Sequence, residues 1–219
     1  MIIDIKKIKV YLISPAVDKY RERVSTVFNR LLDAGFQNVE FVKSMQSINN
    51  VSSLTNTCIN IFKNELNNSE PFIIIEDDCI LYHNYDTIEL PDNFDALYLG
   101  VSRWVYPYSV ETIPIPVRPP IEHNSPKNIK SYDDNLTKIN GMCGTHAIMY
   151  HSRNYLKKFL DVMNWGASIS NNLNHDLIFA VIHSQFEVFA LKKPMFYQDN
   201  NLGGQEDATK LIYNGVFYI

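Results

Sequence analysis

Long apolar runs are missing from this chain, and other absences narrow its function further. No hydrophobic stretch approaches the ~20 residues that a bilayer-spanning helix needs. The opening MIIDIKKIKVYLI alternates charged and apolar residues, without an uninterrupted apolar core or a small-residue cleavage site, so it does not read as a signal peptide. Cysteine is scarce and odd in number. Cys58, Cys79 and Cys143 lie in or beside apolar segments and read as reduced core residues of a non-oxidising compartment. Basic runs never exceed two residues and the net charge is −4, which leaves no nucleic-acid footprint. Neither a glycine-rich phosphate loop nor a GxSxG elbow occurs, and no internal repeat is found. The expectation is a cytoplasmic protein without a membrane span or nucleic-acid partner.

What is present centres on Pro71 to Leu81, PFIIIEDDCIL. An apolar run with no polar face predicts a strand buried on both sides. The carboxylates that end it, Glu76, Asp77 and Asp78, cannot be buried without compensation. They therefore belong where the strand opens into a crevice, and open α/β sheets bind ligands at the carboxyl ends of their strands. Clustered carboxylates repel, and a divalent cation relieves them. Hard oxygen donors suit Mg²⁺ or Mn²⁺, which keep positions open for phosphate oxygens. A solvated acidic turn is the bland alternative.

The 219 residues, 46% of them hydrophobic, predict one domain over 1–219. Residues 1–100 read as a nucleotide-binding half, 101–140 as an insert, and 141–219 as an acceptor half. Lys9 to Ser14 predicts a strand. Val17, Tyr20, Val24, Val27 and Leu31 then mark a helix closed by Gly35. Asn38 to Val42 is a second strand, which makes a βαβ unit. Leu54, Cys58, Ile61 and Leu66 mark a second helix, and Phe94 to Gly100 another strand. The insert holds six of the ten prolines with Trp104, Tyr106, Tyr108 and Tyr132, and reads as an ordered loop. His146 to Tyr150 returns as a strand, with His146 a satisfied core histidine. Ser152 caps a further helix. His175-Asp176 opens another helix, and Phe186 to Leu191 is a strand. Asn214-Gly215 looks like a hairpin turn.

Taken in order, these segments resemble glycosyltransferase family 25, the lipooligosaccharide and collagen galactosyltransferases. The likeness runs through the opening strand with Arg21-Glu22-Arg23, then SEPFIIIEDDCIL, DNFDALYLG, GTHAIMYHSRNYLKKFL, NHDLIFA and PMFYQ. It excludes residues 101–140 and the last 20, and GTHA replaces the usual Thr/Ser-x-Ala-Tyr. The resemblance implies a GT-A-like fold with a mixed, mostly parallel sheet flanked by helices. It also implies a nucleotide-sugar donor, Mn²⁺ (or Mg²⁺), and inversion at the anomeric carbon. A UDP-hexose is the first choice of donor, and a glycan or glycoprotein hydroxyl the acceptor. A small transferase of a large DNA virus, acting in host cytoplasm, also fits.

Asp78, last of the acidic trio, is the expected direct metal ligand. The resemblance has Glu76 meet the ribose or the metal's water. Asp77 joins the binding set, although its side chain on the opposite strand face suits a structural hydrogen bond. Ser14 and Arg21 lie near the expected nucleotide pocket. Asp176, at a helix start within the family-like NHDLIFA, is the expected catalytic base, with an N-cap as its plain alternative. Asp133, Asp134 and Glu111 stand behind it. Two other functional classes remain: a nucleotidyltransferase on a related fold, which lacks its Gly/Lys-rich loop here, and a non-catalytic sugar- or partner-binding module.

Overall fold

The computed structural model describes residues 1–15, 18–45, 47, 49–100, 104–105, 121–122, 129–167 and 175–204. The elements in chain order are β1 (Ile2–Asp4), β2 (Lys9–Ser14), α1 (Arg21–Asp33), β3 (Val39–Lys43), α2 (Asn50–Glu65), β4 (Phe72–Glu76), β5 (Cys79–Leu81), β6 (Thr87–Glu89) and β7 (Ala96–Tyr98). There follow β8 (Trp104–Val105), β9 (Ile121–Glu122), β10 (Ile129–Ser131), β11 (Leu136–Ile139), β12 (Ala147–Tyr150), α3 (Arg153–Ala167), α4 (His175–Ile182), β13 (Val188–Leu191) and β14 (Phe196–Gln198).

The fold is mixed α/β. Eight strands form one sheet in the order β10-β11-β13-β7-β12-β4-β2-β3. Six of them point the same way. Strands β11 and β12 run against the rest, so four of the seven junctions are antiparallel and three are parallel. Strand β12 starts at the end of the sheet where β7 stops, and there the N–H groups of Leu99 and Gly100 both donate to the Ala147 carbonyl.

The expected absence of a polar face on the acidic strand is borne out. Ile73 and Ile75 of β4 enter one core with Val10, Leu12, Val27 and Leu31, which belongs to the α1 side. Phe72 and Ile74 enter the other with Tyr11, Ile13, Phe62, Phe159 and Phe179, on the side of α2, α3 and α4. Helix α1 ends in a Schellman motif. Gly35 has φ +93°, its N–H bonds to Leu32 O, and the N–H of Phe36 bonds to Leu31 O. Asn49 caps α2 by accepting from Ser52 N at 2.8 Å, so that helix begins a turn before Leu54. Ser152 caps α3 through Tyr155 N, as expected.

The insert differs from its reading as a loop. Its last part, β10 and β11, forms the edge hairpin of the main sheet, with Leu136 and Ile139 buried. Asp133 builds the turn by accepting from Asn135 N and Leu136 N, both at 2.7 Å. The side chains of Trp104, Tyr106 and Tyr108 lie outside the described residues, as do Val17, Glu111 and Asn214-Gly215. No helix of the described residues is long and apolar enough to cross a membrane. The three cysteines are buried thiols.

Candidate functional site

Strand β2 pairs with β3 on one side and β4 on the other, both parallel. Helix α1 leaves β2 toward one face of the sheet, and α2 leaves β3 toward the opposite face. The strand order therefore reverses at β2, and a crevice opens beyond the carboxyl ends there. It holds a cavity of about 190 Å³. Ile13 lines it from β2 and Pro15 from just beyond that strand, Ser44 from just past β3, Glu76 from the end of β4 and Asp77 from the turn after it, Tyr20 from just before α1, Arg23 from its first turn, and Asn50 and Leu54 from α2. Gly203 closes one side. The volume is below the ~300–1,000 Å³ of whole small-molecule sites, so it suits one part of a larger ligand.

Of the acidic trio, Asp77 is the most committed. Its carboxylate accepts from the Ser14 hydroxyl and forms an ion pair with Arg23. Ser14 is fully buried beneath the cavity wall, and its hydroxyl anchors Asp77. Arg23 also donates to the Leu202 carbonyl, and its guanidinium lies 4.6 Å from the Tyr20 ring centroid. The arginine that meets the acidic turn is thus Arg23; Arg21, expected near the nucleotide pocket, is exposed at the first residue of α1.

Asp78 lies in the turn between β4 and β5, buried, and is not part of the cavity wall. One oxygen, Oδ2, accepts from Gln198 Nε2 at 3.2 Å, while Oδ1 is buried without a hydrogen-bond partner among the described residues. The Asp78 carbonyl accepts from Asp199 N at 2.8 Å. Burial raises its carboxyl above the ordinary range, with Arg23 pulling it down and Asp77 pushing it up. Glu76, half-buried on the wall, is raised well above that range by burial and then by the charges of Asp78 and Asp176. The Thr145 hydroxyl, 3.3 Å from Glu76 Oε1, works in the other direction.

Asp176 stands in the first turn of α4, close enough to Glu76 for its charge to be felt there. Its neighbour His175 is buried between Thr55 and Thr145, with Nδ1 3.2 Å from Thr55 Oγ1 and Nε2 2.7 Å from Thr145 Oγ1. Burial lowers its pKa to about 4, so it is neutral. The structure thus draws Glu76, Asp77, Asp78 and Asp176 toward one end of the sheet. Asp95, by contrast, accepts from Glu187 N at 2.7 Å and holds β7 to the approach of β13.

His146 corrects its reading as a satisfied histidine. It is 1% exposed, yet neither ring nitrogen has a partner among the described residues, and burial lowers its pKa to about 4. Gly100 makes room for it, because a Cβ there would stand 2.5 Å from His146 Cδ2.

No group of three His, Cys, Asp or Glu donors poised for a metal occurs among the described residues. The donor chemistry still fits a hard cation shared with phosphate. Mg²⁺-type ions take one or two carboxylates and complete their shell with water and phosphate oxygens. Glu76 and Asp78 are two such carboxylates: the charge of Asp78 raises Glu76, and Asp78 Oδ1 lacks a partner among the described residues.

Arg23, Thr145, Gln198 and the anchoring role of His175 were not among the sequence candidates. For Arg23 a signal existed: it lies one turn before Val27 and two before Leu31, on the buried stripe of α1. Thr145 and Gln198 lie in the family-like GTHA and PMFYQ segments, but their partners were not legible, because tertiary pairing across 69 and 120 residues brings them in.

No family model matches the chain, and no curated protein matches it. Among solved structures, it is similar to a glycosyltransferase involved in glycosylation of the major capsid of PBCV-1. That likeness has a TM-score of 0.46 and 10% identity, and covers 83% of this chain and 80% of that one. It is also similar to a nucleoside-diphosphate-sugar pyrophosphorylase from Vibrio cholerae RC9, with a TM-score of 0.40, 11% identity, and coverage of 83% and 72%. Both are likenesses of chain path, and no activity is carried over from them.

Proposed function

We propose that this protein is a metal-dependent glycosyltransferase that moves a hexose from a nucleotide-diphosphate sugar, UDP-hexose first, to a hydroxyl of a glycan or glycoprotein, with inversion. One observation carries the reading: a cavity at the strand-order reversal whose wall pairs an acidic strand end with an arginine. Strand reversals in parallel sheets are where nucleotides bind. A diphosphate cannot approach Glu76 and Asp78 unaided, because like charges at short range repel strongly in a partly buried site. Glu76 and Asp78 would hold a divalent cation, which when bound would supply Lewis-acid stabilisation of a leaving diphosphate.

The remaining roles fall to the chain's own side chains. Tyr20 and Leu54 offer apolar surface to a base or ribose within the cavity. Arg23 places positive charge beside the acidic turn, and its bonds to Asp77 and Leu202 hold it there. Asp176 takes the proton of the acceptor hydroxyl as that oxygen attacks the anomeric carbon opposite the leaving group. Such base assistance is typically worth ~10²–10⁴-fold.

The test is calorimetric binding of UDP and a panel of UDP-hexoses with Mn²⁺, Mg²⁺ or EDTA, followed by a nucleotide-release screen. Binding should require the cation and should fail in Asp78→Ala. Equal affinity in EDTA and in that variant removes the reading. Binding without any sugar transfer or nucleotide release points instead to a non-catalytic sugar-binding module.

A further inference from the structure

Four polar groups stand in line at Glu76: the buried Thr55, His175 and Thr145, none of them lining the cavity, and the half-buried Glu76 carboxyl. They come from α2, the first residue of α4, the residue two before β12, and the end of β4. The separations are 3.2, 2.7 and 3.3 Å, and Thr55, His175 and Thr145 are each at most 6% exposed. A hydroxyl donates once, and a neutral imidazole has one donor and one acceptor nitrogen. The line can therefore run in one direction only once its end is fixed.

We infer that His175 and Thr145 are positioning residues that set the Glu76 carboxylate for a cation shared with a nucleotide diphosphate, through a chain of hydrogen bonds running from Thr55 to Glu76. The inference rests on the transferase reading, in which Glu76 acts as an ionised ligand. An ionised carboxylate only accepts, so the Thr145 O–H donates to Oε1. Thr145 Oγ1 must then accept from His175, which makes Nε2 the protonated nitrogen. Nδ1 is left to accept from the Thr55 O–H. Oε1 is thereby held by Thr145, while Oε2 meets no protein donor among the described residues and stays available to the cavity that Glu76 lines. Partners of this kind orient a metal-binding group, and their loss typically weakens metal affinity 10–100-fold. His175 fits the role because it ties three elements together and adjoins Asp176. Its orientation sets both the tilt of Glu76 and the start of the helix that carries Asp176.

The experiment combines ¹⁵N NMR of the imidazoles with calorimetry on the whole chain, using Mg²⁺ and UDP as probes. With both bound, His175 should show the Nε2–H tautomer. Thr145→Val should weaken cation-dependent UDP binding roughly 10–100-fold while melting close to wild type, and Thr145→Ser should restore it. An Nδ1–H tautomer overturns the direction of the chain. Wild-type affinity in Thr145→Val overturns the positioning role and leaves the transferase reading intact. A wild-type protein with no cation-dependent UDP binding overturns the transferase reading, and the positioning role falls with it. Should Thr145→Val fold poorly, Thr55→Val tests the far end of the chain: it should shift the His175 tautomer equilibrium, and an unchanged ¹⁵N spectrum counts against the chain.

Discussion

Replacing Arg23 with methionine removes a charge from a pair that water barely reaches. The Asp77 side chain is 3% exposed and that of Arg23 17%. In Arg23→Met the apolar stem is kept, so the lost terms are electrostatic: the pair with Asp77 and the guanidinium contact with the Tyr20 ring. Breaking a buried pair by removing one partner costs about 3–5 kcal/mol, because the other charge stays buried. Two features place this site at the low end. Arg23 keeps some contact with solvent, and the Ser14 hydroxyl continues to donate to Asp77. The expected loss is about 3 kcal/mol, and a protein of this size shifts by roughly 2–4 °C per kcal/mol, which gives a fall of about 6–12 °C. Calorimetry on wild type, Arg23→Met, Asp77→Asn and the double variant measures the pair directly. The double variant should recover much of the loss, with a coupling of about 2 kcal/mol, within the usual range for contacting residues. The Arg23 bond to Leu202 is absent from both Met variants, so the cycle cancels it. If Arg23→Met melts within about 1 kcal/mol of wild type and the two changes simply add, the ion pair is not what anchors the acidic turn.

Other consequences are as open to measurement. Glu76 and Asp78 have carboxyls raised in the folded state, so that state holds more protons than the unfolded chain from the ordinary carboxylate range up to their folded values. Their contribution to stability therefore falls as pH rises through that window and is lost above it. In EDTA, Asp78→Asn should melt higher than wild type at pH 8 and lose that advantage toward pH 4; a gap that ignores pH contradicts this. Gly100→Ala pushes a methyl into the buried His146 ring and should destabilise by about 1–3 kcal/mol. Adding His146→Ala should relieve it, and a neutral Gly100→Ala would show that the ring moves freely. Asp176→Asn should cost at most about 0.3–1 kcal/mol from the helix start, leave cation-dependent UDP binding intact, and slow transfer at least roughly a hundredfold. Near-normal transfer returns Asp176 to a structural role and shifts the search to Asp134 and Glu111, since Asp133 is already spent on its turn.

Much of the fold is legible along the chain because burial on both faces leaves a plain mark. Phe72 to Ile75 has no polar residue, and its strand lies at the heart of the sheet. The helices over Leu31, Phe62, Phe159 and Phe179 show their stripes, and Gly35 and Ser152 mark their ends. The short strands are a different matter. Three residues such as Phe196 to Gln198 carry no period, and they are strands only because Cys79 to Leu81 lies beside them. The hairpin at Leu136 to Ile139 was hidden by the proline-rich sequence before it. Within the site, the acidic trio was readable as a group, but the division of labour was not. That Asp77 faces Arg23 while Asp78 folds under Gln198 depends on partners far away in sequence. Arg21 and Arg23 differ by the phase of one helix, and there a stricter use of the 3.6-residue period separates them.

The pairing of β14 with β5 also sets a clock. Gln198 follows Asp78 by 120 residues. At the usual ~5–20 residues per second, a ribosome needs about 6–24 s to travel between them. During that interval β2, α1, β3, α2 and β4 are all available to fold, but β5 has no strand partner, the Gln198 amide is not there to hold Asp78, and Gly203 has not arrived to close the cavity. A nascent chain thus has its acidic turn long before it has the site. The cavity is walled on all the sides described above only after residue 203 has been made, so an interrupted translation product that stops short of residue 198 is born without a finished pocket.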